Sequence, residues 1–265
     1  MKRTFYFLVI LIQNLGLQCS TLTAQSLTPQ VIATGGGYQS NATGSFSFTI
    51  GETNIHTLNS ATHVLTQGFQ QPLEIKLLHV KAYLQGFYLG SGQMADVLYN
   101  QGVYTNASLD ADSVDVELHD ANPPYTMLFQ QRAMLKQDGS LSVRGLGQIG
   151  QAYYFVLKHR NHIETWSANP VVLNSTTTYD FSAASTQAFG ANQFEVEIGS
   201  WALFCSDINQ DGVVDGLDYN DWEVDNNNFG SGYLATDLNG DGIVDGLDFL
   251  LWETNNNAFV GMVQP

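Results

Sequence analysis

From about residue 73 to residue 200, apolar side chains recur at every second position in short runs, the period of a strand with one face turned inward. Leu78, Val80, Ala82 and Leu84 share one phase, whereas Leu73, Ile75 and Leu77 share the other. The inward face therefore changes at Leu77-Leu78, which predicts a bulge or a new domain near Pro72. Val114, Val116 and Leu118 alternate with Asp115, Glu117 and His119, and Tyr153, Phe155 and Leu157 alternate with Tyr154, Val156 and Lys158. Asp138-Gly139 predicts a turn between two such runs. No window of comparable length carries a 3.6-residue period. Short strands with frequent turns predict a mainly β protein in which residues 73–200 form an immunoglobulin-like or prealbumin-like sandwich. Nearer the start, Ser45-Phe46-Ser47-Phe48-Thr49-Ile50 and His63-Val64-Leu65-Thr66 predict short hairpins in a β-rich segment over 25–72.

After residue 200 one sequence is written twice. DINQDGVVDGLDYNDWEVDNNNF begins at Asp207 and DLNGDGIVDGLDFLLWETNNNAF at Asp237, thirty residues later. Asp207, Asn209, Asp211, Asp215 and Asp218 recur as Asp237, Asn239, Asp241, Asp245 and Asp248, which fill loop positions one, three, five, nine and twelve. Glycine stands at position six, as Gly212 and Gly242. Calcium accepts six to eight oxygens, so a chain that binds it must curl and present alternate side chains inward, with a backbone carbonyl at position seven. Val213 and Ile243 would supply those carbonyls. The spacing thus predicts two Ca2+ ions, one per EF-hand-type loop. Val214 and Val244, at position eight, are expected to face inward and bridge the loops. Four carboxylates per loop repel one another without a cation, so folding here is expected to depend on the metal.

The pair resembles a dockerin module, in which two calcium loops are each followed by a short helix. The resemblance covers about Asp207 to Val260 within a module placed at 203–263. It implies helices that begin at Leu217 and Leu247, bury a Leu and a Trp each (Trp222, Trp252), and stop at the Asn runs before Phe229 and Phe259. In dockerins, positions ten and eleven help to recognise a cohesin domain; here these are Gly216-Leu217 and Gly246-Leu247. The partner class implied is a cohesin-like or other cell-surface protein. Unlike family members, this repeat carries no Lys or Arg, since the last base in the chain is Arg160. KAYLQGFYLGSGQM, DSVDVELHDANPPY, YYFVLKHRNHIETWSANPV and TYDFSAASTQAFGANQ are similar to a β domain that precedes such repeats in exported bacterial proteins. GGGYQSNATGSFSFTIGE with QGFQQP resembles an amino-terminal segment of exported surface proteins.

Met1-Lys2-Arg3, the apolar run Thr4 to Leu17 and Ser20 to Ala24 predict a signal peptide over residues 1–24. The expected location is secreted or at the cell surface, with no membrane insertion after cleavage. Cys19 leaves with that peptide, so Cys205 has no partner for a disulfide and calcium is the expected staple. The formal net charge is −16, and twelve of the 25 acidic residues lie from Asp207 onward. Such a surface excludes nucleic acid as a partner.

Catalytic patterns are lacking. There is no Gly-x-Ser-x-Gly elbow, and Gly35-Gly36-Gly37 has no P-loop lysine after it. The chain is therefore expected not to be an enzyme. Lys158 to Trp166 gathers two His, two bases, a carboxylate and an aromatic. Zinc on His159, His162 and Glu164 is disfavoured, because His-x-x-His after a strand is expected to split the rings between faces. A glycan stacked on Trp166 gives the alternative function, an accessory component of polysaccharide breakdown. The simplest expectation has His159 capping the core while Lys158 and Arg160 pair with Asp115 and Glu117.

Overall fold

A computed structural model describes residues 35–41, 44–50, 58–59, 64–65 and 76–265. The expected signal peptide lies outside the described residues, as do Leu73 and Ile75. The chain divides into two compact units, Met1–Leu73 and Glu74–Pro265.

In the first unit the alternating Gly44–Ile50 segment forms β2 and pairs antiparallel with β1 (Gly35–Asn41), from Gly35 opposite Ile50 to Asn41 opposite Gly44. β3 (Leu58–Asn59) pairs with β4 (Val64–Leu65).

The second unit begins with β5 (Leu77–Lys81) and β6 (Tyr83–Leu84), followed by β7 (Tyr88–Gly90), β8 (Gln93–Met94) and a single helical turn, α1 (Val97–Asn100). β9 (Asp110–Asp120), β10 (Met127–Lys136) and β11 (Ser140–Arg144) come next. The remaining strands are β12 (Ala152–His159), β13 (His162–Trp166), β14 (Val171–Val172), β15 (Thr176–Asp180), β16 (Phe194–Glu197) and β17 (Ser200–Leu203). One sheet has the order β10-β9-β12-β13, with β14 also on β12; a second has the order β11-β5-β15; a third has the order β16-β17-β6. β5 with β15 and β6 with β17 are parallel pairs.

Leu78 and Val80 of β5 and Leu141 and Val143 of β11 meet Val114, Val116 and Leu118 of β9 and Phe155 and Leu157 of β12 in one core, so the sheets pack face to face. The inward phase read from the sequence is the one buried. The outward phase of β9 and β12 is covered too. Glu117 and His119 are buried, and Tyr154, Val156 and Trp166 form a smaller cluster with Tyr125 and Phe189. The Asp138-Gly139 turn lies between β10 and β11, with Gly139 at φ +81°.

Two helices follow, α2 (Gly216–Asn227) and α3 (Gly246–Asn257). Neither helix buries its first leucine: Leu217, the one leucine of α2, is 56% exposed and Leu247 55%, so the expected buried leucine is lacking in α2. The inward line of α2 runs through Asp218 and Trp222, one turn apart, and the equivalent line of α3 starts at Asp248. A residue one position earlier is rotated by about 100° out of that line. Tyr219, Trp222, Phe249, Leu251 and Trp252 pack between the helices instead.

Candidate metal loops and the polar seam

Each loop is closed by its own carboxylates. Asp218 Oδ1 accepts from Ile208 N at 2.7 Å and Asn209 N at 3.1 Å, while its Oδ2 accepts from Asp215 N at 2.9 Å. Asp215 in return accepts from Leu217 N at 2.7 Å, a reciprocal cap on the first turn of α2. Asp248 and Asp245 repeat this with Leu238, Asn239 and Leu247. Gly212 and Gly242 sit at φ +89° and +92°, where a side chain would be strained. Among the described residues, no three His, Cys, Asp or Glu side chains gather to hold an ion by themselves. Both sequence-derived donor sets also draw on an asparagine and a backbone carbonyl.

Val214 and Val244 are buried as expected but do not bridge the loops to each other. Val214 N donates to Val260 O, and Val244 N donates to Gly230 O, both at 2.9 Å. Each loop therefore pairs with the residues that follow the other repeat's helix, since those residues already occupy its free backbone edge.

The loops differ at position one. Asp207 has a buried Oδ1 with no hydrogen-bond partner. Burial, with Asp218 and Asp211 nearby, pushes its carboxyl up to about 7. Asp237 takes Gly240 N at 2.8 Å on Oδ1, and Gly242 N at 2.7 Å and Gln101 Nε2 at 2.6 Å on Oδ2. Burial still raises Asp237, and pushes Asp248 up to about 6.

Gln101 belongs to a polar seam that holds the repeat against the β sheets. Asp112, fully buried, accepts from His159 Nε2 and Arg160 Nε at 3.1 Å each and from the Tyr233 hydroxyl at 2.7 Å. Burial alone would raise the Asp112 carboxyl; the hydrogen bonds from His159 and Tyr233 and the charge of Arg160 hold it well below the usual carboxylate range. Arg160 also donates to Leu234 O and to Gln101 Oε1, and its guanidinium lies 4.3 Å from the Tyr233 ring centre. Asn161 Nδ2 donates to Ala235 O and Asp237 O. Farther along, Gln85 and Asn255 exchange hydrogen bonds, and Asn255 Nδ2 also reaches Cys205 O. Cys205 is buried, which pushes its thiol up to about 11.

The Lys158–Trp166 cluster departs from its sequence reading. His159 and His162 face each other across the β12–β13 hairpin, with Nδ1 atoms 2.9 Å apart, because a two-residue turn makes them direct cross-strand partners. Asn161 Oδ1 can only accept, so His162 Nδ1 carries a proton and His159 Nε2–H donates to Asp112. Burial depresses both imidazoles, that of His162 furthest, so the pair is neutral. Glu164 is not with them; it accepts from Trp166 Nε1 at 2.7 Å and pairs with Lys158 at 2.8 Å. Trp166 is 3% exposed and cannot serve as a stacking platform. Lys158 and Arg160 do not pair with Asp115 and Glu117: Arg132 takes Asp115, His119 takes Glu117, and Arg160 turns inward to Asp112.

No family model matches the chain, and no curated protein matches it. Solved structures similar to it include a C-terminal-interface mutant and an N-terminal-interface mutant of a type II cohesin–X-dockerin complex from Acetivibrio cellulolyticus, at 12% and 14% identity. They cover 71% and 69% of this chain and 97% of theirs, both with a TM-score of 0.39. At those values the likeness assigns neither fold nor function. Among the described residues, no helix is long and apolar enough to cross a membrane.

Proposed function

We propose that this is an exported, non-catalytic calcium-binding protein whose dockerin-like pair of loops and helices is clamped to its own β sheets and docks a cell-surface protein through its outer face. Asp207, Asn209, Asp211, Val213 O, Asp215 and Asp218 would hold one ion, and Asp237, Asn239, Asp241, Ile243 O, Asp245 and Asp248 the other. The donor chemistry fits a hard divalent cation, because every one of these groups is an oxygen. The observation that carries the reading is the buried, unpartnered Oδ1 of Asp207 in a loop whose neighbouring carboxylates repel it. Bound calcium supplies the positive charge that offsets four carboxylates per loop. The chain itself curls the loops, caps the helices and presents Leu217 and Leu247, one per repeat, at an exposed position beside each loop. A glycan-binding accessory role loses its platform with Trp166 buried. The test is calorimetric titration with calcium, followed by capture of envelope proteins with and without chelator. Two bound ions and a calcium-dependent partner lost in Leu217→Glu/Leu247→Glu support the proposal; a chain that takes up no calcium refutes it.

A further inference from the structure

We infer that Gln101, on the β-sheet side of the seam, is an outer-sphere residue of the second loop alone, so that the two loops bind calcium with unequal affinity. This rests on the calcium reading above. Gln101 is only 4% exposed, and its orientation is dictated by what surrounds it. Arg160 Nη2 can only donate, so the amide oxygen must face it at 2.8 Å, and the amide N–H is left aimed at Asp237 Oδ2 at 2.6 Å. Arg160 is itself held by Asp112, and Asp112 by the Tyr233 hydroxyl. Partners of this kind orient a ligating carboxylate and are worth roughly 10- to 100-fold in metal affinity.

The first loop has no such partner at Asp207, whose Oδ1 is bare. The difference is written at position four of the loops, where Gln210 stands in the first and Gly240 in the second. Gln210 folds its side chain back to Asp207 O and His162 O. A Cβ at Gly240 would lie 2.5 Å from Val97 Cγ2 and 3.0 Å from Phe87 Cδ1, and one at Gly242 would lie 2.5 Å from Asn100 O. Around Gly212 the nearest atom is 3.5 Å away, on Met262. Asn100 Nδ2 donates to Gly240 O at 3.2 Å as well. The turn α1 and the residue that follows it thus press on the second loop and hold its first ligand in place.

Single-site backgrounds test this in the full chain. Asp211→Ala leaves only the second loop able to bind, and Asp241→Ala only the first. In the Asp211→Ala background, adding Gln101→Met should raise the calorimetric Kd for calcium roughly 10-fold. In the Asp241→Ala background it should change nothing. An equal effect on both loops, or on neither, overturns the inference while leaving the calcium reading intact. Gln101→Asn, which keeps both polar groups but shortens their reach, should give a smaller loss confined to the second loop and carries the test if Gln101→Met misfolds by circular dichroism. If the unmodified chain takes up no calcium, the calcium reading itself falls, and this inference with it.

Discussion

The indole N–H of Trp252 donates to the backbone carbonyl of Asp215 at 2.9 Å, and Trp222, thirty residues earlier, does the same to Asp245 at 3.2 Å. Each helix therefore clamps the loop of the other repeat, at the residue that caps the other helix. Trp252→Phe would keep an aromatic ring in the cluster with Tyr219 and Phe249 but leave the Asp215 carbonyl without that donor. The expected loss is about 1 kcal/mol, or roughly 2–4 °C in Tm for a unit of this size. Thermal melting in calcium checks it, and an unchanged Tm would mean the clamp contributes nothing.

Gly86 shows how tightly the repeat sits on the β sheets. A Cβ there would lie 1.9 Å from Leu238 O and 3.1 Å from Leu251 Cδ1, and the first of these is backbone that cannot rotate aside. Gly86→Ala must push the second loop away from the turn at Gln85–Phe87, at a cost of about 3 kcal/mol or more. We expect a large fall in Tm and faster proteolysis within residues 230–245. A variant that melts and is cleaved like the unmodified chain would show that the contact yields.

Strand phases were legible because burial follows the two-residue period directly: Val114, Val116 and Leu118 point inward as their spacing requires. The loops were legible because backbone closure depends on residues only a few positions apart, such as Asp215 and Asp218. The seam was not. Gln101, Asp112 and Tyr233 are ordinary polar residues in sequence, and they acquire a role only when 121 positions of chain bring Tyr233 to Asp112 and 136 bring Asp237 to Gln101. The pairing of His159 with His162 is hidden from the sequence for a related reason. Counting along a single strand separates the rings, whereas a tight hairpin places them opposite each other.

The same histidines set a pH dependence. Both are neutral in the fold because burial depresses them, and His159, His162 and Arg160 would repel one another if all were charged; among the described residues, Asp112 is the carboxylate against His159. An imidazole whose folded value lies below its unfolded value, about 6.5, contributes stability that is present above that pH and lost as pH falls below it. With calcium held saturating, stability should decline on acidification from about pH 6.5, by about 1.4 kcal/mol per pH unit for each histidine that charges only on unfolding. His162→Gln should flatten the slope. Equal slopes in the two proteins, followed by thermal melting, would exclude the pair as its source.

Calcium removal should act in the opposite pH direction. Asp207 is pushed up to about 7 and Asp248 to about 6, first by burial and then, among other causes, by neighbouring loop carboxylates. For an acid so raised, the stability contributed in the metal-free fold is present below its unfolded value, near 3.9, and is lost as pH rises through the folded value. Chelated protein should therefore lose loop stability between about pH 4 and about pH 7, where the unfolded chain's carboxyls have ionised while these are still held protonated. Ionised loops bind the cation best, so calcium should stabilise more as pH rises, by about 4 kcal/mol per site at a thousand times Kd. The quantity to measure is the Tm in calcium minus the Tm in chelator across that range. The histidine contribution is common to both and cancels in the difference. The difference should widen from acid to alkaline pH and collapse in Asp207→Asn/Asp237→Asn, whereas a difference that is zero or constant with pH would show that the loop carboxylates are not what calcium relieves.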